Sequence, residues 1–109
     1  MNWIPLTTED QLSQLIEKSA SVPQAIFKHS TGCSTSVMVL NRLERSSIPD
    51  NIDFNFLDLL TYRNISNKVA SDFNVIHESP QILLIRNGEC VYDESHLGIN
   101  IDELAEQAA

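Results

Sequence analysis

Cysteine is scarce in this sequence, and so are cations. Two cysteines, Cys33 and Cys90, in 109 residues are too few and too far apart for a zinc cluster or a disulfide scaffold. Seven lysines and arginines against fifteen aspartates and glutamates give a formal charge of −8. The basic residues are scattered, which argues against a nucleic-acid partner, because phosphate binding needs clustered cations. The acidic residues are scattered too and describe a soluble, self-repelling surface. Long apolar runs are also missing. The longest, around residues 81–85, is strand-sized, so no membrane span is expected. Met1-Asn2-Trp3-Ile4-Pro5 has no basic region followed by an apolar stretch, so no secretory signal is expected and a cytoplasmic protein is. There are no repeats, low-complexity tracts or long linkers. With 42% hydrophobic and 20% charged residues, the chain has material for a real core, and residues 1–109 are expected to form one domain.

What the sequence does contain is periodicity. Thr8-Glu9-Asp10-Gln11 has the spacing of a capping box, and Leu12, Leu15 and Ile16 follow at helical intervals. That helix must stop before Pro23; residues 3–6 before it suit a short edge strand. Residues 24–29 read as a strand bounded by Pro23 and by Ser30-Thr31-Gly32. Val37, Leu40 and Leu43 then predict one face of a helix over about residues 34–45. Ile52, Phe54 and Phe56 alternate with Asp53 and Asn55, a strand pattern continuing toward Leu59. Asn64 suits the N-cap of a helix carrying Ile65, Val69 and Phe73 on one stripe, and Asn74 can adopt the left-handed conformation that ends it.

The last third is the most sharply written. Residues 81–86 and 89–93 flank Asn87-Gly88, the strongest short hairpin signal. A final helix is expected to start at Asn100, with Glu103 three residues on, and to bury Ile101 and Leu104. The order is therefore β-α-β-α-β-α-β-β-α. Strands separated by helices are expected to pair in parallel and the closing hairpin antiparallel, giving an α/β fold with a mixed central sheet.

Cys33 stands just after the second expected strand and at the start of the helix that follows. The first turn of a helix has unpaired N–H groups and a partial positive charge, which favour a thiolate over a thiol. The thiolate is the nucleophile of disulfide exchange, and Ser, Thr and Gly neighbours describe a solvent-facing loop, so Cys33 is the candidate nucleophile. Three residues on stands Ser36 and not a second cysteine. A serine cannot resolve a mixed disulfide, although its hydroxyl can donate a hydrogen bond to the thiolate or simply face solvent. Cys33 and Ser36 are the candidate catalytic pair. Cys90 follows the hairpin turn and should lie opposite about Ile85, far from Pro80 and out of reach of Cys33.

Ser79-Pro80, directly before the fourth strand, could be only an edge feature. Combined with a cysteine after the second strand, it matches the cis-proline of thioredoxin-like folds, where the backbone before the proline pairs with an extended thiol substrate. The agreement then widens. Phe27-Lys28-His29-Ser30-Thr31, Cys33, Ser36, Asp72-Phe73-Asn74-Val75, Glu78-Ser79-Pro80, Leu83-Leu84-Ile85, Gly88 and Ser95-His96 together resemble the monothiol bacilliredoxins, over nearly the whole chain. The resemblance implies a cytoplasmic thiol–disulfide oxidoreductase that removes bacillithiol from mixed disulfides of client proteins. Cys33 would attack the bacillithiol sulfur, and a second low-molecular-weight thiol would regenerate it. Bacillithiol would be a co-substrate, with no bound cofactor. Ser34 departs from the Gly or Pro that thioredoxins and many glutaredoxins carry after the first cysteine.

His29, His77 and His96 are all expected at the same end of the sheet as Cys33. His29 and His96, with Ser79 and Pro80, are the candidate substrate-binding residues, either stabilising a thiolate or holding a carboxylate of the small thiol. Lys28 is another candidate cation whose facing periodicity does not decide. A Cys/His metal site would need convergence that the spacing does not supply, so none is expected. Two other functions compete. A monothiol glutaredoxin-like iron–sulfur carrier shares the C-x-x-S pattern but would want a glycine after the cysteine and a Gly-Gly-Asp segment after the hairpin. A non-catalytic thioredoxin-fold adaptor is allowed by the fold alone.

Overall fold

A computed structural model describes residues 2–109. In chain order the elements are β1 (Ile4–Pro5), α1 (Glu9–Lys18), β2 (Gln24–His29), α2 (Ser34–Glu44), β3 (Asp53–Asp58), α3 (Arg63–Phe73), β4 (Gln81–Arg86), β5 (Glu89–Ser95), a 3-10 turn (His96–Gly98) and α4 (Ile101–Ala108). The strands form one sheet in the order β1-β3-β2-β4-β5. β1, β3 and β2 run parallel, whereas β4 is antiparallel to β2 and β5 antiparallel to β4. The α/β class and mixed sheet are as expected.

One pairing corrects the expectation that strands separated by helices run parallel. β4 opens beside the closing end of β2, with Gln81 opposite Lys28 and Ile85 opposite Gln24. Residues 74–80 therefore return the chain to the end of the sheet where β2 finishes, and β4 must run back the other way. This reversal places Ser79-Pro80 at the end from which Cys33 departs.

Both faces of the sheet are covered. On one side Ala25, Phe27, Phe54, Ile82 and Leu84 pack with Val39 and Leu43 of α2 and Leu104 of α4. On the other, Ile26, Leu57, Leu83 and Ile85 pack with Leu12 and Leu15 of α1 and Ile65 and Val69 of α3. Strands covered on both faces read as continuous apolar runs rather than alternating ones. All six side chains of β2 are buried. So is Asn55 in β3, despite its alternation with phenylalanines. Its amide donates to Gln24 Oε1 (3.2 Å) and to the Ala25 carbonyl (3.0 Å).

Local signals held with small shifts. Thr8 and Gln11 form the full capping box of α1. Asn100 Oδ1 accepts from the N–H groups of Asp102 and Glu103. Asn74 and both turn residues, Asn87 and Gly88, have positive φ. Two expectations need correction. α2 buries Ser36, Val39 and Leu43, leaving Val37 exposed; Leu40 is half-buried against the core. α3 begins at Arg63, with Tyr62 rather than Asn64 at the N-cap. The Asp58 carboxylate accepts from the backbone of Leu60 and Thr61 and from the Thr61 hydroxyl, and this turn carries the chain into the helix early.

Phe27 joins fold to site. It is fully buried, stacks on Trp3 with ring centroids 5.6 Å apart and touches the His29 ring at 6.0 Å. Phe27→Ala is expected to cost roughly 3–5 kcal/mol of unfolding free energy. Denaturant titration checks this; a loss under about 1 kcal/mol would mean the ring is not the keystone described.

Candidate active site

β2 ends at His29, and a tight loop of Ser30, Thr31 and Gly32 leads to Cys33, the N-cap residue of α2. The loop is closed by the Cys33 N–H donating to the Ser30 carbonyl at 3.2 Å. Cys33 is partly exposed, and its sulfur makes no capping hydrogen bond to the first turn. The first-turn N–H groups therefore do not bond the sulfur, which sits partly exposed at the start of α2.

Ser36 is placed differently from either alternative read in the sequence. It is fully buried. Its hydroxyl accepts from the Ser30 N–H at 3.1 Å and lies 2.7 Å from His29 Nδ1. Both bonds hold the loop that leads to Cys33, and the Ser36 hydroxyl makes no hydrogen bond to the sulfur. A polar side chain enclosed there must be paired, because an unpaired buried hydroxyl or N–H costs about 1–3 kcal/mol.

His29 is that partner. Its ring packs on Phe27 and on Phe56, at a centroid separation of 5.4 Å from the latter. Burial lowers its pKa from the usual 6.5, and Asp58 opposes the shift. At only 4% exposure the imidazole braces the loop through Ser36.

Ser79-Pro80 is a cis peptide. Pro80 is buried and its carbonyl accepts from the His96 N–H at 2.9 Å, so the end of β5 steadies the proline. Ser79 Oγ is buried without a hydrogen-bond partner among the described residues. His96 is exposed, and its Nε2 lies 3.3 Å from Glu78 Oε2. Thus His96, Glu78 and Pro80 are brought together at the rim of the site.

His77 is not part of that rim. It turns to the α3 side of the sheet, where its Nδ1 lies 3.3 Å from Lys28 Nζ and 3.4 Å from Ser66 Oγ. The facing of Lys28 is thereby settled: it is wholly buried under α3. Among the described residues no three His, Cys, Asp or Glu side chains converge as metal ligands. A cavity of about 220 Å³ bounded by Leu6, Gln24, Asp53 and Asn55 lies at the opposite end of the sheet from Cys33.

Comparison with known proteins decides the family. The model of the monothiol bacilliredoxin BrxC matches residues 4–104. The chain belongs to the monothiol bacilliredoxin family. A solved structure described as a proposed oxidoreductase with a thioredoxin fold is 32% identical, with a TM-score of 0.80 over 97% of this chain and 93% of its own. Thioredoxins of Malassezia sympodialis (16% identity, TM-score 0.76, 99% and 92% covered) and Fasciola hepatica (20%, 0.70, 95% and 94%) share the fold. The thioredoxin-like fold and a thiol redox function follow from family and fold together.

Sequence reasoning missed the Lys28–His77–Ser66 cluster and the pairing of Ser36 with His29. A signal was present for the first, since a lysine inside the apolar run of a central strand has to find buried partners. None was present for the second, because it depends on which face of α2 turns inward.

Ser36→Ala is expected to leave the Ser30 N–H unpaired and to lower stability by about 1–3 kcal/mol. The pH dependence has a definite sign. The folded pKa of His29 lies below 6.5, so the unfolded chain takes up the proton first and stability falls as pH drops below about 6.5. Chemical unfolding at a series of pH values should show that fall, and a smaller one in His29→Phe. Equal slopes in the two proteins would remove His29 from the account.

Proposed function

We propose that this protein is a monothiol thiol–disulfide oxidoreductase that removes bacillithiol from mixed disulfides on client proteins. The Cys33 thiolate attacks the bacillithiol sulfur. A new S–S bond forms between Cys33 and bacillithiol as the client–bacillithiol bond breaks, and the client leaves as a thiolate that takes a proton from water. A second low-molecular-weight thiol then attacks the Cys33–bacillithiol bond, leaving as a small disulfide and returning Cys33 to the thiolate. The electrons come from that second thiol. The partners are thus bacillithiolated clients and a small thiol, in a cytoplasmic setting.

The observation that carries this reading is the separation of the Cys33 sulfur from any second thiol; both cysteines are partly exposed, but they lie far apart. Where a dithiol enzyme would place its resolving sulfur there is Ser36, buried and committed to His29 and Ser30. The other thiol, Cys90, pairs with Ile85, five strand residues beyond Pro80, or roughly 16 Å away at ~3.3 Å per residue. A disulfide needs Cα atoms within about 7 Å. Burial raises the Cys90 pKa, and its Sγ donates to the Tyr92 carbonyl at 3.3 Å, which holds it as a thiol. The covalent intermediate must therefore be resolved from outside. Ser79 stands at the same end of the sheet as Cys33, and its backbone would pair with an extended substrate there.

Anaerobic incubation with a bacillithiolated and, separately, a glutathionylated client, followed by intact-mass measurement, tests this. Bacillithiol should transfer to Cys33 with release of reduced client, faster than glutathione does. Cys33→Ser should lose the transfer altogether and Cys90→Ser should keep it. Client release at an unaltered rate in Cys33→Ser would end the proposal. Preference for the glutathionylated client would leave the exchange chemistry and overturn its assignment to bacillithiol.

A further inference from the structure

Lys28 is the most unusual side chain outside the reacting groups. It lies in the middle strand of the sheet with no exposed surface, and burial alone lowers its pKa from 10.5 to about 8. No carboxylate pairs with it among the described residues. Its Nζ instead meets the Ser66 carbonyl of α3 and His77 Nδ1, each at 3.3 Å. An enclosed ammonium held by only neutral acceptors is costly, so the placement calls for a purpose beyond packing.

His77 supplies one. It stands two residues before Ser79, in the segment that enters β4 at the end of the sheet from which Cys33 departs. Few side-chain bonds hold that segment. Gln81 Nε2 donates to the Ile76 carbonyl (2.9 Å), Glu78 lies beside the exposed His96, and His77 reaches Lys28 and Ser66. Of these, the Lys28 contact alone ties the segment to the strand that delivers Cys33. Because Lys28 and His29 are consecutive in β2, they point to opposite faces. His29 fixes the cysteine loop on one face, and Lys28 fixes the proline segment on the other.

We propose that Lys28 is a positioning residue for the exchange reaction: through His77 it sets the Glu78–Ser79–Pro80 segment against Cys33. The contact requires His77 Nδ1 as an acceptor, hence a neutral ring with its proton on Nε2. Burial, Lys28 and Arg63 all oppose protonation of His77, and Glu78 favours it. Protonating the ring would turn the acceptor into a donor facing an ammonium, and the tie would open. Engagement of an extended mixed disulfide should therefore weaken in acid, while attack on a small reagent that needs no strand pairing should not depend on the tie. This inference rests on the exchange activity proposed above.

The test is a double-mutant cycle of Lys28→Met and His77→Leu, read with a protein mixed disulfide and, in parallel, with iodoacetamide. Each single variant should raise KM for the mixed disulfide roughly tenfold, as expected for losing a charged hydrogen bond. The double variant should be no worse than the poorer single, because both remove one contact. Alkylation of Cys33 by iodoacetamide should keep its wild-type rate, and the acid loss of mixed-disulfide capture should flatten in His77→Leu. Additive losses, an unchanged KM, or equal damage to alkylation would overturn the proposal. Should wild type exchange with no mixed disulfide, the functional reading fails by itself. Hydrogen exchange at the Ser79 and Gln81 amides then decides the tie: faster exchange in Lys28→Met upholds it, and unchanged exchange refutes it.

Discussion

The structure depends on the complete enclosure of β2. It lies between β3 and β4 with helices over both faces, so each of its side chains must find a place without water. Ala25 and Phe27 do so by joining one core, and Ile26 by joining the other. The polar members have to be paired. Gln24 bonds to Asp53 and the Val22 carbonyl, Lys28 to Ser66 and His77, and His29 to Ser36. An unpaired buried polar group costs as much as a typical point mutation. These pairings thus fix the geometry at the end of the strand as firmly as the apolar packing fixes its middle.

Function grows out of how β2 ends. The chain leaves the sheet, turns through three small residues and starts α2 at Cys33, while the antiparallel entry of β4 brings Pro80 alongside. The two halves of the site come from opposite directions and are braced on opposite faces. The absence of a resolving thiol is written into the same bracing. Ser36 occupies the buried position from which a second sulfur would act, and its hydroxyl holds the loop. Cys33, partly exposed, thus stands at the end of the sheet where β4 enters, with no second cysteine in its loop or in the first turn of α2.

Much of this was legible in the sequence where the signals are local. The capping box at Thr8, the Asn87-Gly88 turn, the Asn100 cap and the strand at residues 24–29 each follow from the chemistry of a few neighbouring residues, and each falls where expected. Errors arose where long-range packing decides. Val37 was expected in the core because it shares a spacing with Leu40 and Leu43, but α2 settles with Ser36 and Val39 inward. Asn55 alternates with phenylalanines along β3, yet it is buried, because the sheet is covered on both sides. The antiparallel run of β4 depends on where residues 74–80 carry the chain, which no local rule states. At the site, Cys33 and Ser79-Pro80 could be picked out from their places beside strands. The pairing of Ser36 with His29, and the burial of Lys28, required the fold.

The central claim is that this chain has one working sulfur and no internal route to resolve it. Oxidation of the native protein with a single equivalent of a small-molecule disulfide, followed by peptide mapping under conditions that trap thiols, tests it most directly. The account expects one small-thiol adduct per chain, on Cys33, with Cys90 recovered as a free thiol and the adduct persisting until another thiol is added. Spontaneous loss of the adduct with formation of a Cys33–Cys90 disulfide in the folded protein would contradict it.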